Sequence, residues 1–299
     1  MLQTTQAEEN IAPSDAPDLE ERLAAAIEPW LGHMKWRKDF EAWRERRIWQ
    51  EKHQGENVKD VRRAVMQVAG KILLDLGAGM GGLSVALMRE LCPEGLRLHA
   101  MDYNPDYCRI ASLRAERYGL SLPILVAAGE SLPYGDEAFD IVVCLDVLEH
   151  VADAERVLSE IYRVLKPGGV ALTTVPNRHA FRDPHYHLPL INWLPRWLAE
   201  KIVEARGRSK RGGMLHDRQG LSELNTYSWG GFKRLASGLG FRVRDQVYAR
   251  ITKGEIRQLH GWRRRLLGVA GRLGILSPLY RLYRHGWQGT YQIMLVKPW

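Results

Sequence analysis

The sequence of 299 residues predicts an α/β fold in which helices cover both faces of a doubly wound, mostly parallel sheet. From Lys71 onward, short apolar runs of strand length alternate with amphipathic segments of helix length. The first apolar run leads directly into a glycine-rich turn, as it does in ligand-binding βαβ units. Hydrophobic residues make up 45% of the chain and charged residues 26%, a composition that excludes global disorder and a collagen-like fibre.

The strands and helices of the sheet region follow from their apolar patterns and from the glycines and prolines that separate them. The predicted parallel strands are Ile72–Leu76, Leu96–Met101, Pro123–Val126, Phe139–Leu145 and Val170–Val175. The helices expected between them are Gly82–Leu91, Pro105–Tyr118 and Asp153–Leu165. The later elements are a helix at Ser228–Leu239 and strands at Phe241–Val247 and Tyr291–Val296. This order predicts one sheet domain over residues 71–299, with insertions at 177–226 and 248–289.

The segment before the sheet domain divides into two parts. Residues 1–18 are rich in Pro, Ala, Glu and Asp, which predicts a disordered tail. Residues 19–70 have a helical pattern, which predicts an extension that packs on the sheet domain as a lid. Asn57 is expected to cap the second helix of this extension. The apolar stripes of the two helices are Trp36, Phe40 and Trp43 in the first, and Val58, Val61, Val65 and Val68 in the second.

Several features of the whole sequence point to a cytoplasmic protein. The N-terminal sequence lacks the apolar segment of a secretory signal, and no apolar run reaches the roughly 18 residues that a membrane span needs. The three cysteines, Cys92, Cys108 and Cys144, lie far apart and fit neither a disulfide framework nor a zinc site. We therefore expect a cytoplasmic location, at the inner face of the membrane if the basic part of the chain binds lipid.

Positive charge is concentrated in the last two-fifths of the chain. The formal net charge is −2 over residues 1–70, −6 over 71–177 and +16 over 178–299. Residues 257–289 contain seven arginines and no acidic residue, and Arg263–Arg265 precede the apolar stripe of a basic amphipathic helix. Three interpretations stay open, in this order: a helix on an anionic membrane surface or a lipid-linked substrate, a helix that only packs on the sheet, and an RNA-binding segment.

The turn in KILLDLGAGMGGLS has the properties of a nucleoside-cofactor loop. Gly77, Gly79 and Gly82 have the spacing of the dinucleotide fingerprint, and Asp102 lies 20 residues beyond Gly82, where an acid would bind a ribose. The helix that follows would offer its free N–H groups to the ligand. Asp75 lies just before the glycines, where its carboxylate could bind loop amides or a cationic cofactor. In a dinucleotide site this carboxylate would face the negatively charged pyrophosphate, so Asp75 favours a cationic cofactor over a dinucleotide.

Four ordered blocks resemble the class I S-adenosylmethionine-dependent methyltransferases, especially the methyltransferase type 11 subgroup of ubiquinone-biosynthesis-like enzymes. The blocks are LLDLGAGMGG at 73–82, HAMDYN at 99–104, GESLPYGDEAFDIVVCLDVLEHV at 129–151 and RVLKPGGVALTTVPN at 163–177. Together they cover about residues 71–177. The resemblance implies a Rossmann-like seven-stranded sheet whose last strand is antiparallel, and S-adenosylmethionine as the cofactor.

The resemblance also implies a cofactor site. The glycine loop would wrap the methionine part of the cofactor, Asp102 would accept both ribose hydroxyls, and Tyr103 would lie against the adenine. Ala128 stands where the family often has an Asp that accepts the adenine amino hydrogen, so Glu130 or the Gly129 backbone would replace it. Leu145 and Asp146, at the end of the fourth strand, are expected to face the crevice as well. The full set of cofactor-site residues is Asp75, Gly77, Gly79, Gly81, Asp102, Tyr103, Gly129, Glu130, Leu145 and Asp146.

Histidines near the crevice are the candidates for a catalytic proton acceptor. His150 ends the LDVLEH block beside the cofactor, and the alternative for it is that it only packs that loop. His185 and His187 follow the fifth strand and would face the same side of an extended segment. No metal is expected, because the spacing of these residues with His179 and Asp183 matches no standard zinc pattern.

These features predict an enzyme that transfers a methyl group from S-adenosylmethionine to an oxygen of a lipid-linked sugar, a lipid or another phosphorylated small molecule. The lipid-linked acceptor follows from a looser resemblance of the stretch PHYHLP to methyltransferases of cell-surface glycan pathways. The alternatives are an RNA methyltransferase, an NAD-dependent oxidoreductase and a binding protein that keeps the cofactor site without turnover. The sequence makes no prediction of the oligomeric state.

Overall fold

The protein, described by a computed structural model over residues 17–65, 67–208, 220–253, 269–271 and 274–299, is built around one sheet. The strands in these ranges are β1 (Ile72–Leu76), β2 (Arg97–Asp102), β3 (Ile124–Val126), β4 (Phe139–Cys144), β5 (Leu165–Pro176), β6 (Arg242–Asp245) and β7 (Thr290–Val296). They form a seven-stranded sheet in the order β3-β2-β1-β4-β5-β7-β6. β1 to β5 pair in parallel, whereas β7 is antiparallel to both β5 and β6. The predicted fold class and the antiparallel last strand are confirmed.

Helices cover both faces of this sheet. They are α1 (Pro17–Leu31), α2 (Phe40–Ile48), α3 (Gly55–Ala64), α4 (Gly82–Glu90), α5 (Pro105–Glu116), α6 (Ala154–Val164), α7 (Arg196–Ala205), α8 (Trp229–Gly238), α9 (Gln246–Thr252) and α10 (Leu276–Gly286). Apolar residues of α6 and α8 form the core on one face, and those of α3, α4 and α5 form the core on the other. The sheet is therefore buried on both sides, as a parallel sheet requires.

One predicted strand is shorter than expected. The sequence pattern extended it over Phe241–Val247, but β6 ends at Asp245. The Asp245 carboxylate accepts a hydrogen bond from the Tyr248 backbone N–H at 3.0 Å and so caps α9. The same carboxylate accepts hydrogen bonds from the Tyr280 hydroxyl at 2.8 Å and from Arg284 at 3.0 Å. An acidic residue at the end of an apolar run thus marks a helix start.

The N-terminal extension is helical, but its details differ from the prediction. Residues 1–16 lie outside the described residues, and α1 already begins at Pro17, within the predicted tail. Trp36 lies in a turn before α2 and not on one helix with Phe40 and Trp43. Asn57 does not cap α3, which begins at Gly55; its side chain donates to the Gln54 side chain at 2.7 Å.

The second apolar stripe of the extension is only partly helical. α3 ends at Ala64, because Val65 has extended backbone angles. Val58 and Val61 lie on the helix and are buried against the sheet, and Val68 is buried after the helix has ended. The stripe therefore packs as predicted, although the helix covers only its first half.

A buried ionic cluster holds the extension on the sheet domain. Glu51 accepts hydrogen bonds from the Arg114 and Arg117 guanidinium groups and from the Tyr118 hydroxyl. The side chains of the acid and of both arginines are at most 1% exposed. Burial by itself would raise the pKa of Glu51, but the charge of Arg114 and the hydrogen bonds that the carboxylate accepts together outweigh it, and the pKa is lowered. The cluster is therefore ionised and mutually compensated.

The Arg114 guanidinium extends this cluster to the glycine turn. It donates to the Met80 carbonyl at 2.8 Å, to the Ile48 carbonyl at 2.7 Å and to the Arg47 carbonyl at 3.0 Å. Ile48 ends α2, and Met80 lies between the glycines that follow β1. One buried side chain on α5 therefore joins the extension to the candidate ligand loop.

The insertion at 177–226 has a small apolar core of its own, centred on Tyr186, Ile191 and Val203. The Asn177 amide group donates to the carbonyls of Arg284, His285 and Gln288, which fastens this insertion to the C-terminal one. Most of the basic amphipathic helix predicted from Arg263 lies outside the described residues, which omit 254–268 and 272–273. None of the helices in the described ranges combines the length and the apolar character needed to cross a bilayer.

Glu51→Gln is expected to lower the free energy of unfolding by about 3–5 kcal/mol near neutral pH, because it leaves the buried Arg114 guanidinium without its counter-charge. The native pKa of Glu51 lies below its unfolded value. The stabilisation is therefore fully present above the unfolded pKa and is lost as the pH falls through the native pKa. Urea denaturation of both proteins at about pH 7 and about pH 3 measures the difference and its loss.

Glu56→Gln is the matched control, because the Glu56 carboxylate is paired with Lys59 at 2.7 Å on an exposed surface. This change should alter the free energy of unfolding by less than about 1 kcal/mol. An equal loss of stability in the two variants would contradict the role assigned to the buried cluster.

Candidate active site

The candidate site lies at the carboxyl ends of β1 and β4. From β1 the chain continues to β2 and β3 on one side of the sheet, and it then returns to place β4 on the other side. In open α/β sheets, ligands bind in the crevice at this switch point. The glycine turn after β1, the acid that ends β2 and the loop after β4 all meet at this edge, and together they define the crevice.

The glycine turn is shaped by backbone that only glycine adopts easily. Gly77, Gly79 and Gly81 have φ angles of 74°, 54° and 77°. A Cβ at Gly77 would lie 2.3 Å from a methyl carbon of Val147, and one at Gly81 would lie 2.6 Å from the Cβ of Ala111. A Cβ at Gly79 would meet no atom within 4 Å. The first and third glycines therefore permit close packing, while the second exposes its backbone to a ligand.

Asp102 links the turn to the end of β2. Its Oδ2 accepts a hydrogen bond from the Gly79 backbone N–H at 2.8 Å, and its Oδ1 accepts one from the Asn104 backbone N–H at 2.9 Å. Each carboxylate oxygen has a second lone pair, so the group can still accept hydroxyl donors. The next residue, Tyr103, is 54% exposed, which leaves its ring accessible to a planar ligand group. The ribose and adenine assignments stay predictions with a suitable geometry.

Asp75 is buried beneath the turn. The Ser84 hydroxyl, in the first turn of α4, donates to Asp75 Oδ2 at 2.5 Å. Burial raises the pKa of Asp75 to about 6; the Ser84 hydrogen bond opposes this shift, and the negative charge of Asp102 adds to it. The structure thus gives this carboxylate a hydroxyl partner, where the sequence suggested loop amides or a cation. A positive ligand group nearby would favour its ionised form.

The loop after β4 presents Asp146 at the crevice. Asp146 has a φ of 56°, which is uncommon for a residue with a side chain. Its backbone N–H donates to the Thr174 hydroxyl oxygen at 2.7 Å, and that hydroxyl donates to Asp146 Oδ1 at 2.8 Å. Leu145, which precedes it, is half-buried. Unusual backbone held by two hydrogen bonds is typical of ligand-binding positions.

The loop that carries Gly129 and Glu130 is fastened to α6. Glu130 Oε1 accepts a hydrogen bond from the Ala152 backbone N–H at 3.2 Å, and the Glu130 carbonyl accepts one from the Arg156 guanidinium at 3.2 Å. The side chain is thus directed toward the start of α6. Which of the two residues replaces the acid missing at Ala128 stays a prediction.

Two of the three predicted catalytic histidines come together. The rings of His150 and His185 are edge to face, with their centroids 5.8 Å apart. His185 Nε2 lies 3.7 Å from Oε1 of Glu149, whose side chain is buried. His150 is exposed and His185 is partly buried. The structure therefore assembles a cluster of Glu149, His150 and His185 beside the crevice, named here the acceptor-side cluster.

His187 does not share the surroundings of His185, and the prediction of an extended segment was wrong. Residues 184–186 form a turn, because the buried Asp183 carboxylate accepts hydrogen bonds from the backbone N–H groups of His185 and Tyr186. The His187 N–H closes the turn on the Asp183 carbonyl at 3.0 Å. Burial lowers the pKa of His187, and the charge of Arg37 in the extension adds to this effect. His187 therefore faces the N-terminal extension.

The sequence did not single out two residues of the site. Glu149 stands beside His150 in the LEH triplet, and this adjacency was the signal available in the sequence. The second residue is Arg47, on α2. Desolvation lowers the pKa of Arg47, and the charges of Tyr107 and Asp146 partly oppose this shift. Arg47 is thus within electrostatic reach of Asp146, in the loop after β4. No sequence pattern connects α2 with the loop after β4.

Comparison with known proteins agrees with this geometry. A family model described as a methyltransferase domain matches residues 74–173. A demethylmenaquinone methyltransferase of Lactobacillus johnsonii is 40% identical over 103 residues, which are 34% of this chain and 42% of that protein. A ubiquinone biosynthesis O-methyltransferase of Cereibacter sphaeroides is 32% identical over 45% of this chain and 53% of that protein. A demethylmenaquinone methyltransferase of Geobacillus kaustophilus is 26% identical over 72% of this chain and 98% of that protein.

Solved structures share the fold at low identity. A protein assigned as a sarcosine dimethylglycine methyltransferase, from Galdieria sulphuraria, has a TM-score of 0.51 and 17% identity, with 94% of this chain and 98% of that chain covered. The [4+2]-cyclase SpnF has a TM-score of 0.50 and 21% identity, with 81% of each chain covered. These likenesses concern the fold alone, and one of them belongs to a protein named for a different reaction.

The fold and the crevice define a class I, Rossmann-like methyltransferase architecture. The match over residues 74–173 confirms the predicted resemblance to the S-adenosylmethionine-dependent methyltransferases and the cofactor that it implies. The chain spans about half the length of the first two curated relatives it matches, at 42% and 53% of their lengths.

Asp102→Asn is expected to weaken the affinity for S-adenosylhomocysteine at least about tenfold, or about 1.4 kcal/mol, because an amide lacks the charge that strengthens hydrogen bonds from two hydroxyls. Asp106→Asn, at the exposed start of α5, is the control and should bind normally. Titration calorimetry on both variants gives the comparison. Unchanged affinity of Asp102→Asn would contradict the ribose assignment.

Proposed function

We propose that the chain transfers the methyl group of S-adenosylmethionine to a hydroxyl oxygen of an amphipathic small molecule, with a lipid-linked sugar, a lipid or another phosphorylated compound as the acceptor class. The observation that carries this proposal is the acceptor-side cluster. It joins the loop after β4, at the donor crevice, to the insertion at 177–226, through the 3.7 Å approach of Glu149 and His185. Groups that promote loss of a proton are needed when the acceptor is a hydroxyl.

The chemistry is a displacement at carbon. The acceptor oxygen attacks the methyl carbon in line with the carbon–sulfur bond; the bond pair returns to sulfur, and S-adenosylhomocysteine leaves as a neutral thioether. The hydroxyl proton must be lost from the acceptor oxygen, and the acceptor-side cluster is placed to promote this loss. The crevice holds donor and acceptor in the reactive alignment and limits access of water.

The surroundings of the cluster are ordered for this task. Asn225, in the insertion, donates its backbone N–H to the Glu149 carbonyl at 2.9 Å, and its amide group donates to the Val151 carbonyl at 2.8 Å. Burial raises the pKa of Tyr227 to about 12, with the charge of Glu149 adding to the shift, so this ring lies near the cluster as a neutral phenol. The insertion therefore supports the loop after β4 as well as covering it.

Exposed aromatic residues on the two basic insertions support an amphipathic acceptor. Phe181, Trp193 and Trp287 are exposed. The Phe181 N–H donates to the Gly286 carbonyl at 2.6 Å, which brings the two basic insertions together. Exposed tryptophans beside arginines suit the boundary between lipid and water. We therefore propose contact with an anionic membrane surface, and a cytoplasmic location at its inner face.

A second acceptor class is a hydroxylated quinone precursor, and the names of the relatives favour it. Two of the matching proteins are named for demethylmenaquinone, and one is named for ubiquinone biosynthesis. Such acceptors also combine an ionisable oxygen with an apolar part. The relatives are named for methylation of carbon as well as of oxygen, since another relative is named a ubiquinone/menaquinone biosynthesis C-methyltransferase.

The test is transfer of labelled methyl groups from S-adenosylmethionine in three parallel assays. The acceptors are polyprenyl-phosphate-linked sugars in anionic vesicles, polyprenylated phenols in the same vesicles, and total RNA. We expect label in a lipid product whose new bond is a methyl ether. Label found only in RNA, or S-adenosylhomocysteine binding without transfer to any lipid acceptor, would overturn the proposal.

His185→Ala should lower turnover about 100-fold or more while leaving donor affinity unchanged, because groups that assist proton loss contribute about that much. His179→Ala is the matched control, since its ring stacks on His285, with centroids 4.9 Å apart, and lies outside the cluster. Turnover at several acceptor concentrations separates kcat from KM. Equal turnover of His185→Ala and the unmodified chain would return His185 to a structural role.

A further inference from the structure

We propose that the acceptor-side cluster is a binding site for a divalent transition-metal ion. One carboxylate oxygen of Glu149 and one imidazole nitrogen each of His150 and His185 lie within 4.8 Å of one another. Across the described ranges, no second set of three or more His, Cys, Asp or Glu side chains meets this spacing. The sequence predicted no metal, because the spacing of His185 and His187 with His179 and Asp183 matches no standard zinc pattern. The cluster instead joins His185 to Glu149 and His150, which lie in another segment.

The distances suit a shared ion. Two ligands bound to tetrahedral zinc at about 2.0–2.1 Å lie about 3.3 Å from each other. Glu149 Oε1 and His185 Nε2 are 3.7 Å apart, within a few tenths of an ångström of that value and longer than a hydrogen bond. The ligand atoms lie within 4.8 Å of one another, so the remaining adjustment is at most about 1.5 Å, and the exposed His150 side chain can make it by rotation.

The backbone of both ligand segments is held in place. The His150 N–H donates to the Val147 carbonyl at 2.8 Å, and Asn225 binds the Glu149 carbonyl from the other side. The His185 N–H donates to the buried Asp183 carboxylate at 2.9 Å. Two segments far apart in the sequence thus present their ligands from fixed positions. Preorganised ligands reduce the cost of ordering that metal binding would otherwise carry.

Two imidazoles and one carboxylate form a donor set for zinc, iron(II), cobalt(II) or manganese(II), and zinc has this set in catalytic sites that keep an open position. Magnesium is a poorer match, since it prefers oxygen ligands. The cluster offers three protein ligands and borders the open crevice, so a fourth position would face the acceptor. We assign zinc as the ion that the site fits best.

The inference deepens the proposed function and rests on it for its role. A metal-bound hydroxyl is more acidic than a free one. With the acceptor oxygen as the fourth ligand, its proton would pass to water at the open crevice, and the resulting alkoxide would attack the methyl carbon. The three side chains would then act as ligands, and this replaces the proton-acceptor role that the sequence predicted for His150 and His185.

The test uses the full chain after treatment with a chelator and removal of the chelator by dialysis. Titration calorimetry with zinc and the visible spectrum of the cobalt(II) form report binding without any need for turnover. We expect one ion per chain and a cobalt spectrum typical of four or five ligands. Glu149→Gln, His150→Ala and His185→Ala should each weaken zinc binding at least about tenfold, whereas His179→Ala should bind like the unmodified chain.

His150 is exposed, so His150→Ala tests the site even if a change at buried Glu149 impairs folding. No zinc or cobalt binding, or binding that the three cluster variants leave unchanged, would overturn the metal site. Titration of the same samples with S-adenosylhomocysteine separates the two proposals. Donor binding without metal binding rejects only the metal site, and loss of both in the unmodified chain rejects the proposed function as well.

Discussion

The buried guanidinium of Arg114 is the interaction on which the arrangement of the crevice depends. It hydrogen-bonds the Met80 carbonyl in the glycine turn and two carbonyls at the end of α2. Since an arginine stays charged in proteins, burying it requires a counter-charge, and Glu51 provides this. The N-terminal extension is therefore bound to the glycine turn that is predicted to hold the donor. Arg47, whose carbonyl accepts one of these bonds, is held within electrostatic reach of Asp146 by the same contact.

Regular structure was the part of the molecule that the sequence predicted best. Alternation of apolar runs with amphipathic segments located the strands and helices of the sheet region, and the order of the four blocks indicated the antiparallel last strand. The exceptions occur where a side chain hydrogen-bonds the backbone and so ends the extended conformation. Asp245 ends β6 because its carboxylate caps α9, and Asp183 folds the segment around His185 and His187 into a turn. In both places, a short acidic side chain offers the backbone a hydrogen bond that an apolar pattern does not reveal.

The two halves of the site differ in how far the sequence could predict them. The donor side is made of residues of one βαβ unit, so spacing predicted that Asp102 meets the glycine turn, and the family resemblance implied the donor as the ligand. The acceptor side joins the loop after β4 to an insertion, and the approach of His185 to Glu149 exists only in three dimensions. For the same reason, the sequence predicted the family resemblance in more detail than the acceptor. The family model matches residues 74–173, whereas His185 of the acceptor-side cluster lies in the insertion at 177–226.

A shared fold does not establish the reaction, because a [4+2]-cyclase has this architecture as well. The central claim is that the crevice formed by the glycine turn and Asp102 binds a sulfonium methyl donor and not a dinucleotide. Titration calorimetry of the unmodified chain with S-adenosylhomocysteine, and separately with NADH, tests this claim most directly. The account predicts saturable binding of S-adenosylhomocysteine and no binding of NADH. Binding of NADH without binding of S-adenosylhomocysteine would contradict it.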